Sequence, residues 1–299
     1  MMSTQPVVAA VDGSEDSLRA LEWALDAARR REAPLRIAHV RQYAPWAQPE
    51  APAVADPDED PVLHQVRAHL AKQDALPAVE YVALEGAPGA LLPEMGATAG
   101  LLVLGSRGRG GFASLLLGSN SLAAARDAEC PVVVVPRPGP DDDGAPVRPG
   151  RPVVAGMNAD SPDEATLGFA FAEAALRGGR LRIVVAYPWP LQTWMLPGEL
   201  PPPHIDQDAV EHETRILADG FLAPHRGRHP GVTAEVVVLP GDAAGHLVEA
   251  SRDAELVIVG RHRRRLLAPA RMMGSVTQAV LLHAESPVAV VPPSPAEGS

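Results

Sequence analysis

Short runs of consecutive apolar residues alternate along this chain with longer stretches in which apolar positions recur at helical spacing. In the first half the pattern predicts strands near 6–11, 35–40, 79–84, 101–104 and 132–135, and helices near 15–31, 60–74, 88–98 and 119–128. The first helix shows Leu18, Leu21, Trp23, Leu25 and Ala28 at near-helical spacing, with Ser14 placed to cap it. The strands are rich in Val and Leu and apolar on both faces. Such strands, separated by helices, predict a parallel sheet covered on both sides.

The same pattern then recurs. Val7–Asp12 returns as Val153–Asn158 and Leu35–Val40 as Leu181–Ala186, each 146 residues on; Leu101–Gly105 returns as Leu256–Gly260, 155 residues on. Gly118-Ser119 returns as Gly274-Ser275, and Pro131–Pro136 as Pro287–Pro292. Matches in one order along the chain indicate duplication. The offset grows between the second and third strands, so the second copy carries a longer loop, Tyr187 to Pro203. Pro136 to Gly150 holds five prolines and three glycines and reads as a semi-rigid linker. The expected organisation is a first domain over 1–137, a linker over 138–151 and a second domain over 152–299. Each domain is a five-stranded, doubly wound α/β unit.

Composition narrows the function. The chain has 299 residues, 46% hydrophobic and 21% charged, enough for two cores. A net charge of -11 and an aromatic content of 4% argue against nucleic-acid binding, which needs phosphate neutralisation or base stacking. Lys72 is the only lysine, and the abundance of Arg, Ala and Pro reads as codon bias, so arginine richness says little about function. No apolar run reaches the ~20 residues of a membrane span, and nothing resembles a signal peptide at Met1–Pro6. A cytoplasmic protein is expected. Cys130 stands alone, which excludes an intramolecular disulfide, and before a buried strand it reads as a core residue. The pairs His64/His69 and His225/His229 lack a metal frame, and His204, Asp206, Asp208 and His212 make a weak candidate cluster. Trp189, Trp194 and Met195 in the long loop read as a cover over their own domain or an interface patch.

The candidate chemistry lies in glycine loops. After the fourth strand come Gly105, Gly108 and Gly118, with Ser119, Asn120 and Ser121 opening a helix. A helix N-terminus suits a phosphate. Gly105 and Gly108 are expected to allow unusual dihedrals in a wrapping loop, Gly118 to let the backbone approach closely, and the Ser119 and Ser121 hydroxyls to donate to phosphate oxygens. Arg107 and Arg109 add charge. The simpler alternative is that these glycines only make turns and Ser119 is a cap. A P-loop is excluded, because Lys72 sits in no glycine loop. The Gly-x-Ser-x-Gly elbow and the His-Glu-x-x-His zinc helix are absent.

These residues resemble the universal stress protein family, whose ATP-binding members carry Gly-x2-Gly-x9-Gly-Ser/Thr. Gly105, Gly108, Gly118 and Ser119 match that spacing, while Val11-Asp12-Gly13-Ser14 and Gly86-x-Pro88 match its early turns. The resemblance covers nearly the whole chain, twice. It implies Rossmann-like domains of strand order 3-2-1-4-5, with a ligand crevice between strands one and four. It places Ala10, Val11 and Asp12 beside adenine and ribose, the Val40 backbone against adenine, and the glycine loop on the phosphates. ATP, with Mg2+ as an option, is the implied cofactor. The resemblance also implies pairing through the fifth strands, here within one chain, with a homodimer left open.

The second copy departs from the motif. Arg263 or Arg264 replaces the middle glycine, Asn158 stands for Asp12, and Gly260, Gly274, Ser275, Thr277 and the Ala186 backbone are lesser candidates. The expected function is a nucleotide-dependent regulator or sensor in a stress response, without fast catalysis; slow ATPase activity or autophosphorylation stays open. An adenylyl transferase and a nucleotide-free interaction protein are the alternatives.

Overall fold

The computed structural model describes residues 5–42, 53–108, 117–139, 148–187, 206–261 and 273–293. The first half runs β1 (Val7–Ala10), α1 (Glu15–Arg31), β2 (Leu35–Arg41), β3 (Ala53–Ala55), α2 (Pro61–Leu70), β4 (Val79–Glu85), α3 (Pro88–Met95), β5 (Leu101–Gly105), α4 (Ser119–Asp127) and β6 (Val132–Val135). The second half runs β7 (Val153–Met157), α5 (Glu164–Leu176), β8 (Arg180–Tyr187), α6 (Gln207–Arg228), β9 (Thr233–Pro240), α7 (Ala243–Ser251), β10 (Leu256–Gly260), α8 (Ser275–His283) and β11 (Val288–Val291).

The eleven strands among the described residues join one sheet, in the order β3-β4-β2-β1-β5-β6-β11-β10-β7-β8-β9. Within each half the five long strands are parallel, and they stand in the order 3-2-1-4-5. The fold is therefore two doubly wound α/β units, as expected. One helix layer, α1, α2, α5 and α6, covers one face, and α3, α4, α7 and α8 cover the other. Both apolar layers run across the junction of the halves.

The junction itself is antiparallel: Val288 pairs with Val134, Ala289 with Val133 and Val290 with Val132. Each of these strands would otherwise be an apolar edge open to aggregation. Antiparallel pairing also turns the second half over. The carboxyl ends of its strands lie level with the amino ends of the first half's strands.

Strand β3 was not expected. It adds antiparallel to β4, Val54 opposite Leu84, and covers that edge. Three residues in a Pro- and Ala-rich stretch give no readable alternation. Helices α2 and α3 also stop short of the predicted 74 and 98, the latter passing into a 3-10 turn at Gly96–Thr98.

Candidate functional site

In a doubly wound sheet the crevice opens where neighbouring crossovers leave in opposite directions. Here that point lies between β1 and β5, which pair directly. β1 is buried throughout, and its chain leaves through Val11, whose N–H donates to the Ala38 carbonyl at 2.8 Å. Asp12 follows. Its Oδ1 accepts from the Ser14 N–H at 3.0 Å and from the Ser14 hydroxyl at 2.6 Å. Ser14 Oγ in turn accepts from the Ser17 N–H and caps α1. Gly13, at φ +77, supplies the turn that lets Asp12 and Ser14 meet.

Strand alternation orients Val40. The Arg41 carbonyl accepts from the Gly86 N–H, on the β4 side, whereas the Ala38 carbonyl accepts on the β1 side. Val40 has the orientation of Ala38, so its N–H and C=O point toward β1 at a level past Ala10, the last residue of that strand. Peptide groups there can read the edge of a flat heterocycle.

The glycines act through size. A Cβ on Gly105 would lie 2.7 Å from the Asp16 carbonyl oxygen, so α1 reaches the end of β5 only because this position is bare. One on Gly108 would lie 2.5 Å from Asp12 Oδ2, which places that carboxylate oxygen against the loop. One on Gly118 would lie 3.3 Å from the Ser106 carbonyl oxygen, which already accepts the Gly118 N–H at 2.7 Å. The expectation that Gly105 and Gly108 supply unusual dihedrals is corrected. Among the described glycines, positive φ occurs at residues 13, 86, 150, 178, 179 and 241.

Gly118 is the N-cap of α4 and no side chain caps that helix. Its first amides, on Ser119, Asn120 and Ser121, have no acceptor within the helix and carry the positive end of its dipole. Ser119 and Asn120 are exposed. Ser121 is buried and its hydroxyl donates to the Gly105 carbonyl at 2.7 Å. The expectation that this hydroxyl serves a phosphate is thereby corrected: its one proton fastens α4 to the end of β5. Arg107 is half-buried beside Gly118, and Arg109 lies outside the described residues. Sequence reasoning missed Asp16. It is buried at the start of α1, and Arg137, just past β6, grips it through two bonds of 3.1 and 3.0 Å. An aspartate in a first helical turn is too common to announce that role.

The second half keeps the scaffold. Asn158 Oδ1 accepts from the Asp160 N–H at 3.0 Å, repeating the turn at Asp12 with a neutral side chain. Thr277 donates to the Gly260 carbonyl at 2.9 Å, as Ser121 does to Gly105, and Gly274 opens α8 with no side-chain cap. Ser275 lies in the first turn of α8. Ala186 sits at the place of Val40, its peptide turned toward β7. A Cβ on Gly260 would lie 2.7 Å from Thr166 Oγ1. Arg263 and Arg264 lie outside the described residues.

Other candidates have local roles. Asp206 caps α6 by accepting from the Asp208 and Ala209 amides, while His204 lies outside the described residues, as do Trp189, Trp194 and Met195. His225 is buried, stacked on Phe171 and bonded to Glu164. Burial pushes the Cys130 thiol up to about 12, against the pull of nearby amides and Arg261. No helix among the described residues is long and apolar enough to cross a membrane.

An open parallel sheet used twice, with a glycine-lined crevice at its switch point, defines a tandem Rossmann-like α/β protein. The chain belongs to the universal stress protein family: the model described as "Universal stress protein family" matches residues 3–136 and again 150–292. Universal stress protein Rv2005c of Mycobacterium tuberculosis is 33% identical over 294 residues, covering 95% of this chain and 96% of its own. A putative universal stress protein from Pseudomonas aeruginosa has a similar fold at a TM-score of 0.65 and 17% identity, covering 97% of this chain and 94% of that one. One from Archaeoglobus fulgidus has a TM-score of 0.62 and 16% identity, covering 97% and 99%.

Proposed function

We propose that the first half binds ATP in the β1/β5 crevice and that the protein acts in the cytoplasm as a nucleotide-dependent regulator of a stress response, with little or no fast catalysis. One observation carries this reading: the uncapped start of α4, the bare Gly118 and the Asp12 carboxylate at Gly108 converge on a single crevice end. A phosphate chain fits the α4 amides, ribose hydroxyls fit Asp12 Oδ2, and an adenine edge fits the Val40 peptide. The bound nucleotide supplies three phosphates whose charge changes on hydrolysis, and Mg2+ would ride on those phosphates.

The limited catalysis follows from the same residues. Asp12 is the acidic group placed at the loop, and one of its oxygens is held by Ser14, which leaves it poorly placed as a general base. For the second half the phosphate end is proposed to persist while the neutral Asn158 weakens the ribose end.

The test is to identify and count the nucleotide retained by purified protein, then titrate ATP by calorimetry. About one ATP per chain supports the reading, and two would give the second half a full site. Gly118→Val, whose side chain meets the Ser106 carbonyl, should abolish binding with the circular dichroism unchanged. No retained nucleotide and no calorimetric heat would reject the proposal.

A further inference from the structure

Helix α4 joins the two crevices. Its first residue stands at the carboxyl end of β5. Its last stands at the amino end of β6, and the antiparallel β6–β11 junction brings the carboxyl ends of the second half's strands to that level. The residue immediately after Gly260 uses this placement. The Arg261 N–H is fixed to the Val291 carbonyl at 2.7 Å, and its side chain crosses into the first half. There Nη1 donates to the carbonyls of Arg126 at 2.7 Å, Ala128 at 2.8 Å and Ala125 at 3.4 Å. These are terminal carbonyls of α4, which a helix leaves without internal donors. A cation there also complements the negative end of the helix dipole.

The matching position in the first half is Ser106, which is buried and too short to reach α8 in return. The contact therefore runs one way, from the loop of the degenerate crevice to the far end of the helix whose start forms the intact one. α4 has nine residues, about 13 Å of rigid rod.

We infer that Arg261 is a positioning residue through which the second half sets the anion affinity of the first. The inference rests on the nucleotide reading above. Holding the α4 carboxyl end fixes the helix axis and neutralises its negative pole, so both the position and the potential of the Ser119 and Asn120 amides depend on Arg261. Withdrawal of the Arg261 guanidinium loosens the first half's grip on phosphate. By linkage, nucleotide in the first half tightens the Arg261 contact.

The experiment compares the full-length chain with Arg261→Ala and Arg261→Lys, and with Arg151→Ala as control. Arg151 makes a similar bond to a helix-end carbonyl, that of Arg252, away from α4. Calorimetry with ATP should show Arg261→Ala weakened roughly two- to fivefold, the size of a helix-end charge effect. Arg261→Lys, which keeps the charge and can serve fewer carbonyls, should fall between it and wild type, and Arg151→Ala should match wild type. Amide exchange should show that ATP slows the last turn of α4 in wild type and not in Arg261→Ala. That response is not expected of a merely structural contact. Equal ATP affinity in all four proteins would overturn the inference. If the wild-type chain binds no nucleotide, the reading of the site falls, and exchange without ligand decides on the clamp. Faster exchange across residues 122–128 in Arg261→Ala would support it; unchanged exchange would overturn it.

Discussion

Replacing Arg177 with methionine tests what holds the halves together on the α1/α5 face. Arg177 has no exposed side-chain surface. Its Nε donates to Glu173 Oε2 at 3.1 Å and its Nη1 to Glu255 Oε1 at 2.7 Å, and its guanidinium lies 4.8 Å over the ring of Trp23 in the first half. Burial works against its charge, but Glu173 and Glu255 outweigh it and raise its pKa. From α1, Arg31 pairs with Glu173, and Arg30 lies 3.5 Å from Glu255 and donates to the Leu176 carbonyl. Methionine fills much of the volume but takes the closer cation from Glu255, fully buried, and leaves it Arg30 at 3.5 Å. Breaking one side of a buried pair costs about 3–5 kcal/mol, and at roughly 2–4 °C per kcal/mol the melting temperature should fall on the order of 6–20 °C. The assay is thermal and urea unfolding followed by circular dichroism. Arg177→Met with Glu255→Leu removes both charges, leaves Arg31 on Glu173 and Arg30 on Asp26, and should recover most of the loss. A single variant within ~1 kcal/mol of wild type, or a double variant no better than the single, would refute the charge argument.

Three further outcomes are expected. Burial raises the Asp60 pKa, but bonds from the Leu63 amide, His39 and Arg41 outweigh it and bring the value to about 2 from 3.8. A depressed carboxylate stabilises the fold above its unfolded pKa, so this contribution, ~2 kcal/mol, is lost as pH falls from about 4 through 2; Asp60→Asn should flatten acid unfolding in that window. The Cys130 thiol, pushed up to about 12, should not react with a thiol reagent at pH 8 until urea unfolds the chain; labelling of native protein would contradict this. Gly105→Ala brings a methyl to 2.7 Å from the Asp16 carbonyl oxygen and should cost about 1–3 kcal/mol by urea unfolding, whereas a neutral result would mean that α1 can shift freely.

The elements of the sheet were legible because its central strands, such as Leu101–Gly105 and Val132–Val135, are unbroken apolar runs and each copy checks the other. Strand β3 was not, since three residues carry no period. The glycine spacing pointed to the end of β5 but misled about what the glycines do there. A sequence shows that a side chain is missing at Gly105 without showing that the Asp16 backbone fills the space. Ser121 likewise reads as a free hydroxyl at a helix start, and only the turn of the chain reveals that Gly105 accepts its proton. Arg261 was invisible for another reason. Its partners are main-chain carbonyls about 133 residues away, and carbonyls have no sequence signature.

Covalent fusion explains why the junction carries residues that differ between the halves. In an isologous dimer every contact occurs twice, so a residue that helps one side must also be tolerated at the symmetry-related place. Here Arg31 and Arg177 occupy matching positions, but their partners do not. Glu173 corresponds to Ala27, Glu255 to Gly100, Trp23 to Phe169 and Arg261 to Ser106. Joined in one chain, each position can be chosen for one partner alone. An acid at residue 100 would sit where a Cβ would lie only 3.2 Å from the Gln5 carbonyl oxygen. In the second half the loop position matching Ser106, Arg261, instead holds the end of α4.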